Sequence, residues 1–173
     1  MQKITLILGG ARSGKSAHGE MLALQDFSSP IYIFTAQAWD DEMKSRIKNH
    51  KKRREGKNWT DIEAPIKLSA AIKNNAVSNN CILVDCLTLW LTNLMMKEYD
   101  IDTAIDELIG IIRSAPGEII FISSEVGLGI VPENSMARRF RDLSGKLHQK
   151  LAMEAEHVLL MVAGIPMVVK GTS

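Results

Sequence analysis

Lys3-Ile4-Thr5-Leu6-Ile7-Leu8 runs directly into Gly9-Gly10-Ala11-Arg12-Ser13-Gly14-Lys15-Ser16, and the architecture follows from how these two segments meet. The apolar, β-branched run reads as a buried strand. The G-x-x-x-x-G-K-S after it is a phosphate-binding loop, and Ala17, Met21, Leu22 and Leu24 continue it with helical spacing. Each residue type in the loop has a physical task. Glycines let main-chain N–H groups curl around phosphate oxygens, Lys15 neutralises charge on the β- and γ-phosphates, and the Ser16 hydroxyl is a ligand for Mg2+. The strand-loop-helix setting distinguishes this from an accidental match and predicts binding of a nucleoside triphosphate.

Working outward, the length of 173 residues fits one domain able to bury a sizeable core, so residues 1–173 read as a single P-loop nucleotide-binding domain. Lysine and arginine number 21 against 20 acidic residues, and a balance of +1 supplies no global field for nucleic acid. Any basic site must be local. Cys81 and Cys86 have neither zinc-type spacing nor a disulfide framework and read as buried free thiols of a reducing compartment. No apolar stretch reaches membrane-spanning length and the start lacks the pattern of a secretory leader, so a soluble, cytoplasmic protein is expected.

Strand and helix patterns alternate along the chain. Ile31 to Phe34 reads as a second buried strand after the break at Ser28-Ser29-Pro30. Asp40-Asp41-Glu42 opens a helix to about Arg54, acidic in its first turn and basic in its last, as the helix dipole favours. Trp59 to Glu63 reads as extended, Ile66 to Asn74 as helical, and Cys81 to Asp85 as a third apolar strand ending in a carboxylate. Helices are expected over Leu87 to Lys97, Ile101 to Arg113 and Ser135 to Glu156, the last with Phe140, Leu143, Leu147 and Leu151 on one face. Glu118 to Ser123, Val158 to Val162 and Met167 to Lys170 supply further strands. This order predicts an α/β fold with a mainly parallel sheet flanked by helices on both faces.

Asp85 is the second piece of a nucleotide site, because strands of parallel sheets end near the ligand crevice and a carboxylate there holds Mg2+ directly or through water. His50 stands between Arg46 and Arg54 at helical spacing on one face. An imidazole with an ordinary pKa near ~6.5, lowered further by cations, is a competent phosphorus nucleophile. The alternative for a lone histidine on a charged helix is a solvated surface residue. Lys51, Lys52, Arg53 and Arg54 read first as a solvated helix end, and as a triphosphate clamp only if the fold brings them to the loop. Glu125 to Asn134, E-V-G-L-G-I-V-P-E-N, is too glycine-rich and apolar for a plain connector and reads as a loop that shapes a binding site. Arg138, Arg141, Asp142, Gly145 and Gln149 share a polar helix face, either solvated or turned to an anionic substrate or another subunit. His148 and His157 read as structural, and Met95, Met96 and Trp90 as core packing. Switch-type GTPase elements are missing: there is no N-K-x-D, and Asp85 is followed by Cys86-Leu87-Thr88 rather than D-x-x-G. Small-molecule kinases, nucleotidyltransferases and non-catalytic nucleotide-binding modules stay open on this reading.

The chain resembles the bifunctional adenosylcobinamide kinase/adenosylcobinamide-phosphate guanylyltransferases of cobalamin biosynthesis along essentially its whole length. The matching segments are I-L-G-G-A-R-S-G-K-S at Ile7 to Ser16, T-A-Q at Thr35 to Gln37, D-D-E-M-K-S-R-I-K-N-H-K at Asp40 to Lys51 and W-T-D-I-E-A-P at Trp59 to Pro65. D-C-L-T-L-W-L-T-N-L at Asp85 to Leu94, E-V-G-L-G-I-V-P-E-N, R-R-F-R-D-L-S-G-K-L-H-Q at Arg138 to Gln149 and A-G-I-P at Ala163 to Pro166 complete the match. The resemblance implies phosphorylation of adenosylcobinamide by ATP or GTP, then attack of His50 on the α-phosphate of GTP and transfer of GMP to adenosylcobinamide phosphate. It implies nucleotide contacts from Gly9, Gly10, Ala11, Arg12, Ser13, Gly14, Lys15 and Ser16, from Thr35, Ala36 and Gln37, from Lys51, Lys52, Arg53 and Arg54, and from Glu63 and Asp85. It also implies a RecA-like sheet and a homotrimer; the near-zero net charge already argues against a nucleic-acid partner. Two positions depart from the family's usual asparagines: Ser124 before E-V-G, and His148 before the final glutamine.

Overall fold

The computed structural model describes residues 3–37 and 41–172; within the second helix, the side chains at 42, 43, 46, 47 and 49–51 fall outside that description. In chain order the elements are β1 (Lys3–Gly9), α1 (Lys15–Asp26), β2 (Ile31–Phe34), α2 (Asp41–Arg54), β3 (Thr60–Glu63), α3 (Leu68–Asn75), β4 (Cys81–Asp85), α4 (Leu87–Met96), α5 (Ile101–Ile112), β5 (Glu118–Ser124), α6 (Ser135–Glu154), β6 (His157–Val162) and β7 (Ile165–Lys170). They build one sheet in the order β3-β2-β4-β5-β1-β6-β7, parallel throughout except for β7, which returns antiparallel on β6.

The period-two geometry of a strand sorts each apolar run onto two cores. Ile4 and Leu6 of β1, Ile82 and Val84 of β4, and Ile119 and Phe121 of β5 face a large cluster with Leu68 and Ile72 of α3, Trp90 and Leu91 of α4, Ile105 and Leu108 of α5, and Leu147 and Leu151 of α6. The alternate residues Ile7, Leu83, Ile120 and Ile122 face a smaller cluster that includes Ala23 of α1. Burial on both faces is why these strands read as continuous apolar runs rather than alternating ones.

Two expectations change in detail, and a third falls outside the description. Asp40 lies outside the described residues, and α2 as described begins at Asp41. The third helix starts at Leu68 rather than Ile66, because the Ile66 carbonyl accepts from the Trp90 indole N–H at 2.9 Å and from the Leu68 N–H at 2.9 Å. Met96 is 67 % exposed and lines a cavity of about 570 Å3 with Met95, Tyr99, Ile101 and Met136, so it is not core packing; Trp90, at 1 %, is. Coverage on both faces also stops short of the sheet's end. Every residue of β7 is exposed.

Candidate active site

Parallel pairing aligns the C-terminal ends of β1, β4 and β5 on one rim. Gly9 stands opposite Ser124 and Ile122 opposite Asp85, so β5 separates the phosphate loop from the carboxylate by two strand spacings, roughly 10 Å. The Glu125 N–H continues this pairing past the strand by donating to the Gly9 carbonyl at 2.9 Å.

The loop owes its shape to its glycines. A Cβ on Gly9 would lie 2.6 Å from Ser13 Oγ and 2.7 Å from the Met161 carbonyl oxygen, so no side chain fits there. Gly14 takes φ 95° as N-cap of α1 and provides no side-chain cap, which leaves the first N–H groups of that helix available to an anion. The turn between β6 and β7 braces the loop from outside, with the Gly164 N–H donating to the Ser13 carbonyl at 3.0 Å. Gly10, Ala11 and Arg12 form the exposed crest, and the buried Ser13 Oγ has no hydrogen-bond partner among the described residues. Lys15 Nζ donates to the carbonyls of Gly9 at 2.9 Å and Gly10 at 2.6 Å. Burial pulls its pKa below the usual lysine value, while Cys86 and Asp85 oppose that shift.

Asp85 closes β4 and accepts from the Tyr32 hydroxyl at 2.7 Å. Burial, reinforced by Asp85, holds that phenol protonated far above its ordinary range. Thr35, next to the end of β2, is fully buried: its hydroxyl donates to the Cys86 carbonyl at 2.6 Å and accepts from the Cys86 N–H at 3.0 Å. Asn93 of α4 donates from Nδ2 to the Thr35 carbonyl at 2.8 Å and to that of Pro65 at 3.0 Å. Thr35 thus ties the ends of β2 and β4 together and turns no free hydroxyl to the rim. Ala36 and Gln37 are half-buried beside it, and Glu63 closes β3 with an exposed side chain. Cys81 and Cys86 are both free, and burial pushes each thiol up to about 12.

The basic run divides. Lys52 is exposed, and Arg53 reaches back to the Glu20 carboxylate of α1 at 3.2 Å. Arg54, only 5 % exposed, forks onto Asp61 through Nε at 3.2 Å and Nη2 at 2.9 Å, and its guanidinium lies 3.5 Å from the centre of the Tyr32 ring. That ring meets Trp59 edge to face at 5.7 Å. Burial raises the Glu20 pKa against the pull of Arg53 and Arg54. The cluster was not legible in sequence, since its members come from α1, β2, α2 and β3. The backbone of His50 and Lys51 is helical in α2, and their side chains lie outside the described residues.

A phosphate loop at the end of a central parallel strand, a buried lysine inside it and a carboxylate at the end of a nearby strand define a P-loop nucleotide-binding enzyme domain. The family model for cobinamide kinase / cobinamide phosphate guanyltransferase matches residues 5–169, and the chain belongs to that family. It is 46 % identical over 168 residues to the bifunctional adenosylcobalamin biosynthesis protein CobP of Pseudomonas aeruginosa, covering 96 % of each chain. It is 38 % identical over 180 residues to the bifunctional adenosylcobalamin biosynthesis protein CobU of Salmonella typhimurium, covering 95 % of this chain and 98 % of that one.

Proposed function

We propose that this one domain phosphorylates adenosylcobinamide and then guanylylates the product. In the first reaction the aminopropanol hydroxyl oxygen bonds to the γ-phosphorus of ATP or GTP, the bridge to the β-phosphate breaks, and the nucleoside diphosphate leaves. In the second, a ring nitrogen of His50 bonds to the α-phosphorus of GTP and pyrophosphate leaves. A phosphate oxygen of adenosylcobinamide phosphate then displaces the histidine, giving adenosylcobinamide-GDP and restoring the imidazole.

The observation that carries this reading is Lys15 set inside the loop at the rim where Asp85 ends β4. Main-chain N–H groups of residues 10–16 and the Lys15 ammonium would replace the loop carbonyls as partners of the β- and γ-phosphates. Ser16 and Asp85 offer hard oxygen donors, a set that suits Mg2+ with several of its waters retained; when bound, the ion supplies charge neutralisation on the phosphates. Position 50 lies one helical turn before Arg54, whose guanidinium is packed against Tyr32, itself bonded to Asp85. On this reading His50 is the nucleophile that α2 supplies. Lys51, Lys52, Ala36, Gln37 and Glu63 belong to the same proposed nucleotide surface. Among the described residues no helix is long and apolar enough to cross a membrane. The exposed apolar β7 accords with a homotrimer.

Incubation with GTP and Mg2+ distinguishes the chemistries. Label at the α-phosphate should stay covalently attached and be acid-labile, label at the γ-phosphate should not, and His50→Ala should abolish the attachment. Undiminished labelling of that variant would overturn the role of His50. No covalent label, with phosphorylation of adenosylcobinamide retained, would leave a kinase alone.

A further inference from the structure

The residue before the last glutamine of R-R-F-R-D-L-S-G-K-L-H-Q has a partner that its sequence context did not suggest. His148 Nε2 lies 2.7 Å from Ser123 Oγ, near the end of β5, and Ser123 is 1 % exposed. Ser123 Oγ lies 3.2 Å from Thr88 Oγ1 of α4, which accepts from the Ser124 N–H at 2.7 Å. The next N–H along, that of Glu125, donates to the Gly9 carbonyl, and that same carbonyl accepts from Lys15. One path of hydrogen bonds and a single peptide unit therefore joins an imidazole on α6 to the lysine of the phosphate loop.

We propose that His148 is a positioning residue for the phosphate loop, acting as a neutral acceptor at Nε2 that sets the direction of the whole hydroxyl chain. With that lone pair available, the Ser124 N–H donates to Thr88, the Thr88 hydroxyl to Ser123 rather than to the neighbouring Cys86 sulfur, its other acceptor, and the Ser123 hydroxyl to His148, each hydroxyl donating once and accepting once. A proton on Nε2 turns that nitrogen into a donor. The Ser123 hydroxyl then swings toward Thr88, and Thr88 must accept from Ser123 and Ser124 together and surrender its own donation to Ser123. The seat of residues 123–125 against Gly9 loosens as a result. The proposal rests on the reading that the loop binds a nucleoside triphosphate.

The surroundings favour the neutral ring. Burial lowers the pKa of His148 below the ordinary histidine value, against an upward pull from Glu125. α4 carries no charged side chain, and on α5 Asp102 and Asp106 are already bound by Lys146 and Lys150, which flank His148 on α6. Lys3 and Glu118 pair at 3.7 Å at the opposite ends of β1 and β5. Since the neutral form is the competent one and burial lowers its pKa, function is complete at the ordinary histidine value and above, and declines as pH falls below it.

The test is GTP binding with Mg2+, measured by calorimetry on the full chain from pH 8 to pH 5.5, for the native protein and His148→Asn. Protonation of the nucleotide and of His18 is common to both, so the difference between the two profiles isolates position 148. The native affinity should fall roughly threefold to tenfold further on acidification than that of the asparagine variant, the span expected for loss of one hydrogen bond. Parallel profiles overturn the proposal while leaving nucleotide binding intact, whereas a native chain that binds no GTP at any pH removes the nucleotide reading itself. Ring 15N shifts of the native protein provide a check that needs no variant: at pH 8 the unprotonated nitrogen of His148 should be Nε2. A protonated Nε2 at that pH overturns the proposal.

Discussion

An ammonium held between two main-chain carbonyls has exchanged part of its hydration for protein acceptors before any phosphate arrives. For Lys15 those acceptors are Gly9 and Gly10, and burial has already lowered its pKa. Its transfer to a phosphate replaces two neutral acceptors by an anion, and charge-assisted bonds are roughly twice as strong as neutral ones. The consequence is a residue whose removal costs reaction rate more than fold. Lys15→Ala leaves the Gly9 carbonyl still bonded to the Glu125 N–H. The kinase kcat should therefore drop by about 10²–10³, the usual loss when one electrostatic stabiliser is removed, while the urea midpoint shifts little. A variant that loses its cooperative unfolding transition along with its activity would show that Lys15 builds the loop rather than serving the phosphate. The setting of this lysine inside the loop was legible from the G-x-x-x-x-G-K-S pattern, because motif spacing is local. That of His148 was not, because Ser123 and Thr88 are far from it in sequence.

Among the helices, α2 is the one whose sequence gives least reason to pack. Its fourteen residues, D-E-M-K-S-R-I-K-N-H-K-K-R-R, offer little apolar surface. Its last residue does what an apolar stripe does elsewhere: Arg54 stacks on Tyr32, forks onto Asp61 and sits 3.9 Å from Glu20. A basic run read alone suggests solvent or phosphate, and the sequence reading offered both. Only the pairing of β2 with β3, which sets Tyr32 opposite Asp61, creates the receptacle for this guanidinium. Arg54→Met should destabilise the fold by about 1–3 kcal/mol, because it removes the charged fork to Asp61, which is itself open to water, and the stack on Tyr32, while Glu20 keeps Arg53. Arg54→Lys should recover only part of that, since an ammonium cannot form the fork or the planar stack. Urea titration of the three proteins measures this. If the methionine variant matches the native midpoint, the guanidinium does not anchor α2, and its proposed service to the nucleotide becomes the better account of its place.

At the scale of the molecule, the alternation of apolar runs foretold a mainly parallel sheet, because strands covered on both faces need no polar side. The order β3-β2-β4-β5-β1-β6-β7 was beyond it, since strand order depends on which edge each crossover returns to. So was the condition of β7, whose V-V-K ending reads like any buried strand. Its face carrying Ile165, Met167 and Val169 is 66 %, 54 % and 63 % exposed, and its outer edge pairs with no other strand among the described residues. A flat apolar edge of this kind invites pairing with another chain, and proteins that keep one ordinarily cover it. The proposed homotrimer would cover this face with a neighbouring copy. Placing two lysines there, Met167→Lys with Val169→Lys, adds charge to a surface already open to water in the isolated chain, so the monomer should keep its fold and its far-ultraviolet spectrum. Burial of those charges against a neighbour is unfavourable, and sedimentation equilibrium should then report one chain of 19.2 kDa where the native protein is expected to report three. Trimers that persist in the doubly charged variant would move the interface away from β7, and the next surface to charge would be the loop carrying Leu128 and Ile130, which are 83 % and 96 % exposed.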